Sequence, residues 1–351
     1  MAFQDPRAGT AIAAILVALP MAAILAAVVH GATGADPALW AHLTEHVLAR
    51  VTVNTVVLVI GVVAIAVALG TALAWLTAAC EFPGRGFFAW ALLLPMAVPA
   101  YVLAFVAVAT LDYAGAVPVA LRAHFGAGFT VPPIRSTGGV IAVLGLASYP
   151  YVYLMARGAF LTHGARALEA AQSLGFGPWS GLLRVAVPLA RPWIAGGAAL
   201  VAMETLADFG AVSVFNYDTY TTAIYKAWYG LFSIETALGL ALLLLAFVAV
   251  ALAAERLARG RARYAAADSG IRRAARLALP GARGWIACGI ASTVFALGFA
   301  LPALVLARWA LGVAPLDLDA RYVGYALRTL ALAGMAAAAC LALAVVLGYA
   351  T

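Results

Sequence analysis

Charge is what this sequence lacks most. Lys, Arg, Asp and Glu make up 10% of its 351 residues, against about a quarter in a soluble domain. Hydrophobic residues make up 66%, and the mean hydropathy is +1.03. A water-soluble globular fold is thereby excluded. Cysteine is scarce as well. Cys80, Cys288 and Cys340 stand far apart, without CxxC or metal-ligand spacing, which argues against a disulfide framework or a zinc site and leaves them as packing residues. No HExxH, GxSxG, GxxxxGK[ST] or GxGxxG pattern occurs, so any nucleotide hydrolysis has to come from another chain. His42 and His46 are four apart and share a helix face, but a solvated helix explains them more simply than a ligand pair. The net charge of +7 and the pI near 9.5 do not point to nucleic acid, because the basic residues lie between apolar runs and not in one stripe.

Long apolar runs are what the sequence has. A membrane span needs roughly 20 apolar residues at about 1.5 Å rise each. Eight segments reach or approach that length: Thr10–Val29, Thr52–Ala78, Phe87–Leu111, Gly138–Phe160, Trp193–Phe215, Ile234–Ala254, Trp285–Ala307 and Tyr325–Ala350. The first is too long for a signal peptide and is followed by further spans, so it reads as a retained helix. The expected fold is all-α, a polytopic transmembrane helix bundle. Fourteen of the 21 Lys and Arg fall on the side of the N-terminus, and seven, among them Arg50, Arg135 and Lys226, fall on the other. The positive-inside rule therefore predicts a cytoplasmic N-terminus.

Between the fourth and fifth runs lies a polar, glycine-broken interlude, EAAQSLGFGPWSGLLRVAVP. Ala165 to Leu174 favours a helix, Gly175 and Gly177 stop it, and Pro178 suits the first turn of the next. The pattern is Glu169-Ala170-Ala171, three residues, Gly175, nine residues, then Val185, Val187 and Pro188. It resembles the EAA loop, here about residues 162–192, of bacterial ABC-importer permeases. The resemblance implies a type I importer fold. It also implies that this hairpin docks into a cytoplasmic ATPase dimer, with Glu169, Ala170, Ala171, Gly175 and Pro188 as the coupling residues. ATP would be used by that partner, and this chain would bind no cofactor. The bland alternative is an interfacial helix that joins two spans.

Two further features bear on a pathway. Pro95 and Pro99 each remove a backbone donor within the third run and predict a break, whose freed carbonyls need partners from neighbouring helices or from a wet cavity. A pathway position and a purely structural kink both fit. The loop from Asp112 to Thr137 contains VPVALRAHF, read as a surface-lying helix that either meets a substrate carrier or merely caps the bundle. The fifth run carries Glu204 and Asp208, four apart and so expected on one helix face. A carboxylate near the bilayer centre costs about 2.5–3.5 kcal/mol on insertion scales, which keeps it off the lipid. Structural pairing and an oxygen lining for a hard cation are both open. The stretch NYDTYTTAIYKAWYGLF, with Tyr225 and Trp228, fits an interfacial aromatic belt or the lining of a mouth.

LPMAVPAYVL, ETLADFGAVSVF and TTAIYKAWYG resemble the iron(III) branch of the permease family. That resemblance implies import of iron(III) or a chelate from a periplasmic iron-binding protein. Glu204 and Asp208 become candidate transient iron contacts, with Tyr225, Pro95 and Pro99 along the pathway. A thiamine, polyamine or phosphonate importer is the runner-up. An integral-membrane enzyme or a non-transporting anchor would belong to another class, and neither explains the docking hairpin. The expected location is the bacterial inner membrane, in contact with lipid. Residues 1–255 form the first permease half. Residues 256–283 form a basic cytoplasmic linker, close to anionic headgroups. Residues 284–351 begin a second half of two spans: Arg328-Thr329-Leu330 through Gly348-Tyr349-Ala350 resembles Asn54-Thr55-Val56 through Ala74-Trp75-Leu76 at an offset of 274, with Thr329 matching Thr55 and Leu332 matching Leu58. The iron branch commonly fuses two halves, so a second half, or a second permease copy, is the expected partner, and the chain reads as a piece of a two-half protein.

Overall fold

The computed structural model describes residues 6–164, 175, 177–259, 276–317 and 320–350. Among them, seven helices are long and apolar enough to cross a membrane. A bent pair makes up to eight. The first helix, α1 (Pro6–Ala32), is followed at 96° by α2 (Pro37–His46). Asp36 caps α2 by accepting from the Ala38 N–H at 2.9 Å, ahead of Pro37 at the first position, where proline loses nothing. The centre of the bundle is α3 (Leu48–Ala79) against α7 (Thr137–Ala159), with α8 (Val187–Ala207) on both. Small residues bring these backbones together. A Cβ on Gly70 would lie 2.8 Å from the Val152 Cβ and 2.9 Å from the Tyr149 carbonyl oxygen, and one on Gly197 would lie 2.8 Å from the Val152 Cα.

The third predicted run is broken where its prolines fall. It consists of α4 (Arg85–Ala91), a tight 3-10 turn (Leu94–Ala97) and α5 (Ala100–Leu111). Leu93 and Met96 donate three residues back, to Trp90 and Leu93, so the carbonyls of Ala89 and Leu92 lose the partners that a regular helix would give them. Two tyrosines one turn apart on α7 supply replacements. The Tyr153 hydroxyl donates to the Ala89 carbonyl and the Tyr149 hydroxyl to the Leu92 carbonyl, both at 2.9 Å. Both tyrosines are fully buried, so the joint is satisfied by protein. The stretch VPVALRAHF forms α6 (Ala116–Phe125).

The fifth run departs from its expected single span. It begins earlier and ends at Ala207; Asp208 is extended (φ −67°, ψ 123°), and a short α9 (Gly210–Val214) follows. Next come α10 (Tyr220–Tyr225), a π turn (Lys226–Gly230) and α11 (Ile234–Arg259). Beyond the linker, α12 (Ala282–Phe295), a π turn (Ala296–Ala300) and α13 (Leu301–Asp317) make one long span, and α14 (Ala320–Ala350) is the last. Phe295 packs edge-on against Phe87 at 5.5 Å, and Trp309 against Phe105 at 5.8 Å, so this span lies along the broken third run.

A parallel clip joins the two parts of the chain. β1 (Cys80–Glu81) pairs with β2 (Leu277–Ala278), with Cys80 opposite Leu277 and Glu81 opposite Ala278. Each strand runs into a Pro-Gly turn, Pro83-Gly84 and Pro280-Gly281, whose glycines have φ of +78° and +61°, values that side chains rarely adopt. Glu81 holds both Arg85 and Arg276, at 3.2 and 3.3 Å. The cysteines differ from the packing role expected for all three: Cys80 is buried, Cys288 half-buried and Cys340 exposed.

Candidate functional site

Two regions carry the predicted site residues, one at each end of the bundle. At the arginine-rich end, α7 runs into a π turn (Phe160–Gly164), anchored by Phe160 edge-on to Trp75 at 5.5 Å. Glu169, Ala170 and Ala171 lie outside the described residues. Gly175 is exposed with φ +80°, and nothing stands within 4 Å of the position its Cβ would take. Its backbone conformation, and not crowding, is therefore what demands glycine there. The chain resumes as a helical turn (Pro178–Gly181), in which Gly181 N and Ser180 Oγ both donate to the Gly177 carbonyl, at 2.8 and 2.9 Å. A π turn (Leu182–Ala186) follows, with Leu182 and Ala186 buried and Leu183 outward. Pro188 stands in the first turn of α8, directly after the π turn, where its missing N–H removes a bond to the preceding turn.

At the other end, Glu204 lies exposed on the last turn of α8, and Asp208 stands one turn further on, at the residue that ends the helix and within electrostatic reach of Glu204. The helix stops at Asp208, whose ψ of 123° turns the chain that follows away from the α8 axis. The Asp208 carboxylate accepts from Val212 N at 3.0 Å, capping α9, and its carbonyl accepts from Thr221 Oγ1 at 2.7 Å. Arg135 closes the other end of α9, donating to the Val214 carbonyl at 2.6 Å while its Nε pairs with Asp112 at 2.7 Å. A Cβ on Gly210 would come within 2.6 Å of the Tyr101 Cβ, so α9 is seated directly on α5. Sequence patterning missed these anchors: Thr221 and Arg135 act across long separations that no local spacing records.

The two prolines are placed unequally, Pro95 buried in the joint and Pro99 exposed as the cap of α5. Tyr225 is exposed within a run of rings, 5.0 Å from Phe209 and 4.8 Å from Tyr229, which stacks on Trp228 at 4.9 Å. Asp218 is gripped from both sides, by Arg50 at 3.2 Å and Lys226 at 2.6 Å. The Tyr220 hydroxyl hydrogen-bonds with the Thr52 hydroxyl at 2.7 Å. These contacts tie α10 to the start of α3. A cavity of about 600 Å³ opens beside Phe105, Asp112, Tyr113, Arg135 and Val214. Among the described residues no group of three His, Cys, Asp or Glu side chains could hold a metal ion.

The binding-protein-dependent transport system inner membrane component family matches this chain over residues 70–264, a stretch that holds the hairpin, the Asp208 junction and the ring cluster. The chain belongs to that family. Among its curated relatives, the Fe(3+)-transport system permease protein FbpB 2 of Haemophilus influenzae is 29% identical over 264 residues, 75% of this chain and 48% of the relative. The molybdenum transport system permease protein ModB of Azotobacter vinelandii is 32% identical over 170 residues, 48% of this chain and 73% of the relative. The sulfate transport system permease protein CysT of Escherichia coli is 28% identical over 144 residues, 41% of this chain and 50% of the relative. This family member thus spans about half the length of the iron-transport relative.

Proposed function

We propose that the chain forms the first half, and part of a second, of an inner-membrane importer. It would take iron(III), bare or chelated, from a periplasmic binding protein and be driven by a cytoplasmic ATPase dimer. Glu204 carries this reading. It lies thirteen residues from Arg191, about 20 Å along α8 and so within a hydrocarbon layer of about 30 Å. An exposed carboxylate at that depth is costly against lipid, so the α8 face that bears it belongs against protein or a wet passage, supplied by a second permease half. A carboxylate repels the oxyanions that the molybdenum and sulfate relatives are named for and attracts a hard cation. Alternating access would follow from a bistable bundle, closed inside by the ATPase and opened outside by the loaded carrier.

The test is uptake by the complex copurified from membranes with its ATPase and carrier. Glu204→Gln is expected to lower iron(III) uptake at least about tenfold with assembly and basal ATPase activity intact. Normal iron uptake by that variant, or transport of molybdate in place of iron, would overturn the assignment. Coupling is tested separately at the hairpin. Gly175→Val forces a β-branched side chain into φ +80°, a strain of about 1–2 kcal/mol. It is expected to abolish ATPase association while the spans still insert; full association would break the docking role.

A further inference from the structure

Arg157 is a half-buried arginine whose charge has no partner among the described residues. It lies in the last turn of α7, and its Nε is shut off from solvent without a hydrogen-bond acceptor. A buried donor left unpaired is expensive, and more so when it belongs to a charged group. The nearby cations are already served. Arg85 and Arg276 share Glu81, and Arg85 also donates to the Thr77 carbonyl at 3.1 Å. Arg85 and Arg157 both stand within electrostatic reach of the Tyr153 hydroxyl. Among the described residues, Glu81 is thus already shared by two guanidiniums and Arg157 has no carboxylate, so an anion fits here.

The surroundings of Arg157 say which kind. Gly158 beside it leaves open space, and Leu154 and Leu161, one turn to either side, are exposed. A small free oxyanion would gain nothing from those leucines. An amphiphile would use both chemistries: phosphate on the guanidinium, acyl chain along Leu154 toward the middle of the span. We propose that Arg157 holds the phosphate of an anionic phospholipid, with Leu154 seating its chain, at the point where α7 leaves for the hairpin. The assignment depends on the chain's membrane character and not on which solute it moves. A lipid held there braces the helix end from which the hairpin departs.

The full complex is placed in nanodiscs of phosphatidylcholine with graded phosphatidylglycerol. Phosphatidylglycerol retained after detergent extraction is then counted by native mass spectrometry. Wild type is expected to keep a tightly held molecule, Arg157→Gln to weaken it about fivefold, and Arg157→Lys to keep most of it. Arg191→Gln, an exposed arginine at the same end, should match wild type, which separates a site from general surface charge. Leu154→Asn leaves the charge in place and should weaken retention about threefold; this variant carries the test if Arg157→Gln does not fold. Equal retention in Arg157→Gln, or in Leu154→Asn, overturns the proposal. So does release of the lipid by millimolar inorganic phosphate, which would mark a free-anion site. An Arg157→Gln complex that keeps its lipid but sheds the ATPase would reassign the guanidinium to a protein carboxylate.

Discussion

Helices α3 and α14 repeat one sequence pattern and meet opposite fates. Thr55 in α3 and Thr329 in α14 correspond at the offset of 274, and each hydroxyl donates to the carbonyl four residues back, at 2.8 and 2.9 Å. Leu58 and its counterpart Leu332 are 1% and 63% exposed. No residue of the apolar window in α14 is buried, whereas α3 buries a face from Val51 to Ala78 against α7 and α8. The local hydrogen bond is intrinsic to the helix, and the burial is conferred by neighbours. A helix in lipid gains little from hiding apolar area, so what fixes α3 is close packing and polar satisfaction.

The largest expected effect breaks that packing on one side only. Gly70→Leu pushes a branched side chain into the backbone of α7 and should destabilise the fold by about 3 kcal/mol or more. Ala344→Leu, at the corresponding place in α14, should stay within about 0.5 kcal/mol. The readout is thermal melting followed by size-exclusion fluorescence, and equal losses would sink the contrast. Tyr149→Phe and Tyr153→Phe come next. Each leaves a buried carbonyl of the proline joint unpaired and should cost about 1–3 kcal/mol, together lowering the melting temperature by several degrees. Unchanged melting in the double variant would mean the joint finds other partners. The smallest effect sharpens the comparison. Thr55 also accepts from Tyr220 N at 3.4 Å, so Thr55→Val should cost about 1 kcal/mol, while Thr329→Val leaves melting unmoved.

The spans were legible because bilayer thickness sets their length, and the break at Pro95 and Pro99 because proline cannot make the bond. The break at Asp208 was not. Nothing in ETLAD stops a helix by itself; Thr221, thirteen residues ahead, holds the Asp208 carbonyl at the stop, and Arg135, 73 residues behind, holds the far end of the short helix that follows. The same distance problem hid the tyrosines of α7, whose partners, the carbonyls of Ala89 and Leu92, lie about sixty residues earlier in the chain. In the hairpin, Gly175 was legible as a turn residue. Glu169 to Ala171, lying outside the described residues, rest on pattern alone.

The β1–β2 clip also sets a timetable. Cys80 must wait for Leu277, 197 residues later (277 − 80). A ribosome adding about 5–20 residues per second takes roughly 10–40 s to deliver that partner. By the end of that interval the helices up to Arg259 have all been made, while the edge of β1 still waits for its partner and Glu81 has only Arg85 to hold. Closing the clip is therefore a late event in biogenesis: the second part of the chain is latched onto a unit that has already formed.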